Sequence, residues 1–211
     1  MKFPRVYPIL DTQFLAARSC TADAAASAWL DAGAQIIQFR HKGPWTREIF
    51  SQAERIAAMC HARSVNFVVN DRADMARLLN AGLHVGQDDL HPRDARRLLG
   101  EQALLGFSTH NPRQLAEADA EPANYLAVGP VYATTSKQNP DPVVGLDGLR
   151  QCRALCSRPL IAIGGITRQT AADVFAAGAD SVAVISDLYP EPCTSANLRG
   201  RMEEWLQLAQ N

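Results

Sequence analysis

The sequence predicts an α/β protein built as a single (β/α)8 TIM barrel, on three observations. Eight short aliphatic runs alternate with eight longer amphipathic stretches along the 211 residues, the order expected of strands each followed by a helix. Two helix ends carry the same punctuation. In "DAGAQ" (31–35) and "AAGADS" (176–181) a glycine stands where a helix must stop and feed a strand. No GxGxxG follows the first strand, which removes the main sign of the rival fold, a doubly wound open sheet.

The first strand is the apolar run VYPIL at 6–10, and Thr21 is placed to cap a helix over 22–32. The second strand, 36–40, precedes a helix over 47–62. Strands at 67–70 and 83–85 precede helices over 74–80 and 93–99, and a strand at 104–108 precedes a helix over 112–118. The sixth strand, 125–128, is separated from its helix (146–155) by "TSKQNPDPVVG" at 135–145. Loops of this length after barrel strands often carry function. The seventh strand, 160–163, leads through Thr167, read as a cap, to a helix over 168–177. The eighth, 181–185, leads to a helix over 198–209. No linker interrupts the series, so 1–211 reads as one domain.

The formal net charge is −1, with 47% hydrophobic and 20% charged residues. That composition gives no global attraction for nucleic acid or an anionic membrane, so neither is expected as a partner, and any anion site must be local. The stretch 6–10 is too short for a signal peptide, and no run reaches the roughly 18 apolar residues of a membrane helix. Five cysteines without a CxxC pair fit reduced thiols in a cytoplasmic protein. A homo-oligomer is compatible with the sequence.

Barrel active sites are built at the C-terminal ends of the strands. The second strand ends in "QFRHK", 38–42. A buried strand should stay aliphatic, yet this one turns cationic. Alternation puts Gln38, Arg40 and Lys42 on one face and Phe39 and His41 on the other. Two cations and an amide at the barrel mouth suit an anion, most simply a phosphate. The third and fourth strands end near Asp71 and near Asp88 and Asp89. Asp71 with Asp89 (or Asp88) could hold Mg²⁺, which takes one or two carboxylates with substrate oxygens; the same acids could equally cap helices. The fifth strand ends in Ser108 and His110, on one face. Without a GxSxG elbow, Ser108 reads as a hydroxyl donor to an oxyanion rather than a nucleophile. His84 and His91, lacking metal-ligand spacing, read as structural or surface residues. After the sixth strand come Thr134, Thr135, Ser136 and Lys137, a set that suits phosphate. Gly164-Gly165 after the seventh allows close backbone approach and a helix N-terminus. Together with Ile185 and Ser186 it forms the usual phosphate position of this fold. Two anion sites, one metal-assisted and one metal-free, point to transfer of an organic group from a diphosphate ester to a monophosphorylated acceptor.

The chain resembles the thiamine-phosphate synthase family along nearly its whole length. The matching pieces are QFRHK, NDR (70–72), HVGQDD (84–89), FSTH (107–110), YLAVGPVYATTSK (125–137), PVVGL (142–146), IAIGGI (161–166) and VAVISD (182–187). Their order and spacing make the match specific. The resemblance implies a transferase with two small phosphorylated substrates. It would join a hydroxymethylpyrimidine diphosphate to a thiazole phosphate, with or without a 2-carboxylate, giving thiamine monophosphate and diphosphate with Mg²⁺. By position, the whole QFRHK stretch (Gln38, Phe39, Arg40, His41, Lys42) with Asn70, Ser108 and Lys137 falls on the pyrimidine diphosphate side. Arg40, Lys42, Lys137 and Ser108 are the implied catalytic members, and His41, at a variable position, has no role of its own. Asp71 and Asp89 would hold Mg²⁺. Thr134, Thr135, Ser136, Gly165, Ile185 and Ser186 would cradle the thiazole phosphate; Ser136 stands where the family often has Thr. The alternatives are a thiazole tautomerase-type isomerase on the same barrel and a non-catalytic paralogue that binds thiazole phosphate.

Overall fold

The structure is a computed structural model that describes residues 3–134 and 141–210. Eight strands, β1 (Val6–Asp11), β2 (Ile36–Arg40), β3 (Asn66–Asn70), β4 (Gly82–Val85), β5 (Leu105–Thr109), β6 (Tyr125–Val128), β7 (Leu160–Ile163) and β8 (Ser181–Val184), pair in sequence order. All pairs are parallel, and β1 against β8 closes the barrel. The helices are α1 (Thr12–Ala16), α2 (Ala22–Ala32), α3 (Arg47–His61), α4 (Ala73–Leu78), α5 (Pro92–Leu99), α6 (Pro112–Ala118), α7 (Gly145–Leu155), α8 (Ala171–Ala176) and α9 (Ser195–Leu208). A 3-10 turn, Ser186–Leu188, follows β8. Among the described residues no helix is long and apolar enough to cross a membrane.

Two apolar layers follow from side-chain alternation. Residues such as Leu10, Ile37, Phe39, Val69, Leu83, Phe107 and Leu126 point outward into the layer under the helices, where Trp29 and Trp205 are fully buried. The opposite set, including Tyr7, Ile9, Ile36, Val68, Tyr125 and Ile161, fills the barrel interior. Where an aliphatic interior is usual, this one is polar near its mouth: Gln38, Asn70 and His84 are buried there.

Helix boundaries have local causes. The Thr21 hydroxyl accepts from Ala24 N at 3.3 Å, and α2 ends at Gly33, whose φ of 102° is left-handed. Thr167 does not cap a helix starting at 168. Residues 168–170 form a turn closed by Ala171 N–H to Thr167 O at 2.9 Å, and α8 begins only at Ala171. Two short elements escaped the periodicity. Helix α1 is set by a single cap, with Asp11 Oδ1 accepting from Gln13 N and Phe14 N, each at 3.0 Å. The 3-10 turn is only three residues long.

Candidate active site

The barrel mouth opens into one cavity of about 480 Å³, within the usual range for a small-molecule site. Gln38, Arg40 and Lys42 from β2 line it, with Asn70 and Asp71 after β3 and Asp88 and Asp89 after β4. Ser108 from β5 and Thr134 after β6 line it further round. Gly164, Gly165, Ile185 and Ser186 close the far side. Thr135, Ser136 and Lys137 lie outside the described residues.

Two members of the QFRHK stretch stay out of this cavity. Phe39 is fully buried under the helices, edge-on to Trp45 with ring centroids 5.7 Å apart. His41 bonds Thr12 Oγ1 at 2.8 Å and Pro44 O at 3.2 Å. Placing the stretch as a block is thereby corrected: a strand shows only every second side chain to one face.

The cations of β2 are held by acids. Arg40 pairs with the buried Asp11, its neighbour in the β1–β2 register. Lys42 Nζ lies 2.5 Å from Asp71 Oδ2. Asp71 has φ +64°, a strained conformation for a residue with a side chain. Its N–H donates to His84 O at 2.8 Å, tying the β3 tip to β4. Neither this acid nor Asp89 caps a helix. The residue at the N-cap of α4 is Arg72 and that of α5 is His91. Asp89 Oδ2 instead accepts from Gly86 N at 2.7 Å.

Asp89 has Asp71 as an electrostatic neighbour, and burial raises the Asp89 carboxyl above its ordinary range. The Gly86 N–H opposes that rise, whereas the Asp71 carboxylate adds to it. Two like charges so placed are the donor set that a divalent cation relieves. Among the described residues no group of three or more His, Cys, Asp or Glu is arranged for a metal, so the fit is to a hard cation that takes its remaining ligands from substrate and water. Asn70 adds an amide Nδ2 that is buried without a partner, a donor suited to an anionic oxygen.

Among the described residues, the opposite rim of Gly164, Gly165, Ile185 and Ser186 has no such charges. Gly164 and Gly165 adopt φ of 99° and 65°. A Cβ on Gly165 would also fall 2.8 Å from Tyr132 Cβ, so both conformation and space require glycine. The 3-10 turn is braced from outside, with Arg168 Nε 3.0 Å from Asp187 Oδ2 and Arg201 Nη1 2.6 Å from Asp187 O.

Three residues of the site were missed in the sequence. Asp11 ends β1 and so could have been found by the same strand-tip rule that found Arg40. His84 faces the cavity from β4, with Nε2 2.8 Å from Ser108 Oγ. Burial pushes its imidazole down to about 4, leaving it neutral. Tyr7 lines the cavity floor, and nothing in an apolar run of VYPIL marks a polar role. His110 shares a face with Ser108 but bonds Gly129 O through Nδ1 at 2.7 Å, so the imidazole beside Ser108 is His84.

Comparison with known proteins adds family evidence. A family model described as thiamine monophosphate synthase matches residues 6–188. A thiamine-phosphate synthase of Koribacter versatilis is 46% identical over 99% of this chain and 97% of its own length. One from Chloroflexus aurantiacus is 42% identical over 86% and 83%. Among solved structures, thiamine phosphate pyrophosphorylase from Pyrococcus furiosus superposes with a TM-score of 0.84 at 28% identity, covering 98% of this chain and 95% of that one.

Proposed function

This chain belongs to the thiamine monophosphate synthase family, and we propose how its barrel mouth carries out the reaction. The protein is a transferase of thiamine biosynthesis that condenses a pyrimidine and a thiazole phosphate. The substrates on this reading are 4-amino-2-methyl-5-(diphosphooxymethyl)pyrimidine and 4-methyl-5-(2-phosphooxyethyl)thiazole, the latter with or without a 2-carboxylate. The products are thiamine monophosphate and diphosphate, and the carboxylated thiazole additionally loses its carboxylate as CO2. The observation that carries this is a single cavity with two unlike rims: one side has paired charges and two neighbouring carboxylates, the other has bare glycine backbone.

Arg40 and Lys42 stabilise the diphosphate as it departs, Asn70 Nδ2 donates to one of its oxygens, and Ser108 donates its hydroxyl. Asp71 and Asp89 would hold Mg²⁺. When bound, the ion supplies positive charge for the leaving oxygens. Lys137, outside the described residues, belongs to the same diphosphate side by sequence. The exocyclic C–O bond breaks with its electron pair leaving on diphosphate, and the aminopyrimidine stabilises the cationic methylene. The thiazole nitrogen then supplies the electron pair of the new C–N bond. No protein nucleophile is required. Gly165, Ile185 and Ser186, with Thr134, Thr135 and Ser136, hold the thiazole phosphate in line for attack. A cytoplasmic setting fits five cysteines that are all free.

The test is to mix the purified protein with Mg²⁺ and both substrates and to follow thiamine monophosphate and diphosphate together. The reading expects the two in equal amounts. Diphosphate without thiamine monophosphate, or neither product, overturns it.

A further inference from the structure

Below the Arg40 and Lys42 rim, five polar side chains from five different strands touch in series. Gln38 Nε2 is 3.1 Å from Tyr7 Oη, and Tyr7 Oη is 2.8 Å from Tyr125 Oη. Tyr125 Oη is 3.0 Å from His84 Nδ1, and His84 Nε2 is 2.8 Å from Ser108 Oγ. Tyr7 and Tyr125 are buried to 1% and 0% exposure. The barrel makes room for the series. Gly106 lies between His84 and Tyr125 in the register, and a Cβ there would collide with the Tyr125 ring. That ring therefore crosses β5 and stacks on His84, with centroids 5.6 Å apart and planes at 20°.

We propose that Tyr7, Tyr125 and His84 are positioning residues that lock the polarity of the Gln38 amide to that of the Ser108 hydroxyl, through one directional chain of hydrogen bonds. The direction follows from counting protons. Gln38 donates its amide N–H to Tyr7. With the Gln38 N–H pointing at Tyr7, the single Tyr7 hydrogen has Tyr125 Oη as the acceptor within reach, at 2.8 Å, and buried hydroxyls are as a rule paired. Tyr125 must in turn donate to His84 Nδ1. A neutral imidazole that accepts at Nδ1 carries its hydrogen on Nε2 and donates it to Ser108 Oγ. Ser108 is left with its own hydrogen for the cavity, and Gln38 with its carbonyl oxygen. Turning the Gln38 amide over reverses all four bonds at once. Gln38 would then offer a donor and Ser108 only lone pairs. The two ends of the floor are thus not independent. The site presents an acceptor at Gln38 together with a donor at Ser108, matched to a ligand with an amine or ring N–H at one end and an oxyanion or ring nitrogen at the other. This rests on the transferase reading for the identity of that ligand, but the chain itself does not need substrate.

The experiment therefore has a ligand-free arm. In protein labelled with ¹⁵N at the imidazoles, His84 is expected as the Nε2–H tautomer near pH 7, and Tyr125→Phe should shift the Nδ1 resonance by removing its donor. An Nδ1–H tautomer, or a resonance indifferent to Tyr125→Phe, overturns the chain whatever the enzyme does. Should Tyr125→Phe fail to fold, Tyr7→Phe interrupts the same series one bond away and is expected to loosen the tautomer preference; an unchanged preference overturns the chain. The second arm compares Gln38→Ala, Ser108→Ala and the double variant by KM for the pyrimidine diphosphate. Their losses should fall short of multiplicative by at least fivefold in the parent and become multiplicative within twofold in the Tyr125→Phe background. Equal coupling in both backgrounds would mean that the substrate, not the chain, links the two ends. No coupling in the parent would equally sink the proposal. A protein with the expected tautomer but no thiamine monophosphate would instead count against the transferase reading.

Discussion

The tips of β2, β3 and β4 carry cations and carboxylates on side chains, whereas the tips of β7 and β8 offer glycine backbone and a three-residue turn. Both rims suit phosphate, and they differ in what happens to the anion. Charged side chains and a metal strengthen as negative charge accumulates, so they favour a group that is leaving. Backbone N–H groups held by a rigid fold grip a phosphate that keeps its charge throughout, so they suit an acceptor that must only be aligned. On the charged rim each cation already has an acidic partner, Arg40 with Asp11 and Lys42 with Asp71. Among the described residues, the backbone rim of Gly164, Gly165, Ile185 and Ser186 carries no ionisable side chain.

The comparison breaks most visibly at the carboxylate pair. Asp71→Ala or Asp89→Ala should lower turnover by about 10²–10³-fold, the scale of losing a preorganised electrostatic contact, while the circular dichroism spectrum keeps its native form. Turnover within threefold of the parent would show that the pair does not serve the leaving group. Next comes Arg40→Ala, expected to reduce kcat by about 10²-fold. Asp11→Asn should have a milder effect in the same direction, because Arg40 remains but loses the partner that orients it. A kcat for Asp11→Asn as low as that for Arg40→Ala would give Asp11 a role beyond orientation. On the other rim, Gly165→Val should raise the KM for thiazole phosphate about tenfold, or about 1.4 kcal/mol in binding, with the pyrimidine KM unchanged. Equal rises in both KM values would dissolve the division between the rims.

The smallest effect is on stability. Asp89 has a raised carboxyl pKa in the folded protein, so the metal-free fold takes up a proton at higher pH than the unfolded chain. That uptake stabilises the fold fully below the unfolded carboxylate value and is lost as pH rises through the folded value. Metal-free Asp89→Asn should therefore melt above the parent at neutral pH, and the gap should close on acidification through the carboxylate range. A gap that widened on acidification would reverse the sign. The backbone rim predicts no such pH dependence for substitutions at Gly165.

Much of this was legible in the chain. The alternation of strand and helix patterns gives eight units, and the cavity-facing Gln38, Arg40 and Lys42 follow from a period of two. The same period should have kept Phe39 and His41 out of the site. Asp11 is readable by position, since it ends β1 beside Arg40, but the apolar run before it gives no sign of a polar role. Helix α1 and the turn at Ser186–Leu188 were not readable, since five and three residues are too few to show a period.

The sequence alone determined the barrel, the end at which its chemistry gathers and the family, because repeat order and strand alternation are local properties written in consecutive residues. Only the tertiary structure decided which acid faces which base and that Tyr7, Gln38, His84, Ser108 and Tyr125 touch. Those contacts join residues up to 118 positions apart, and closure of the barrel, not any local pattern, brings them within hydrogen-bonding distance.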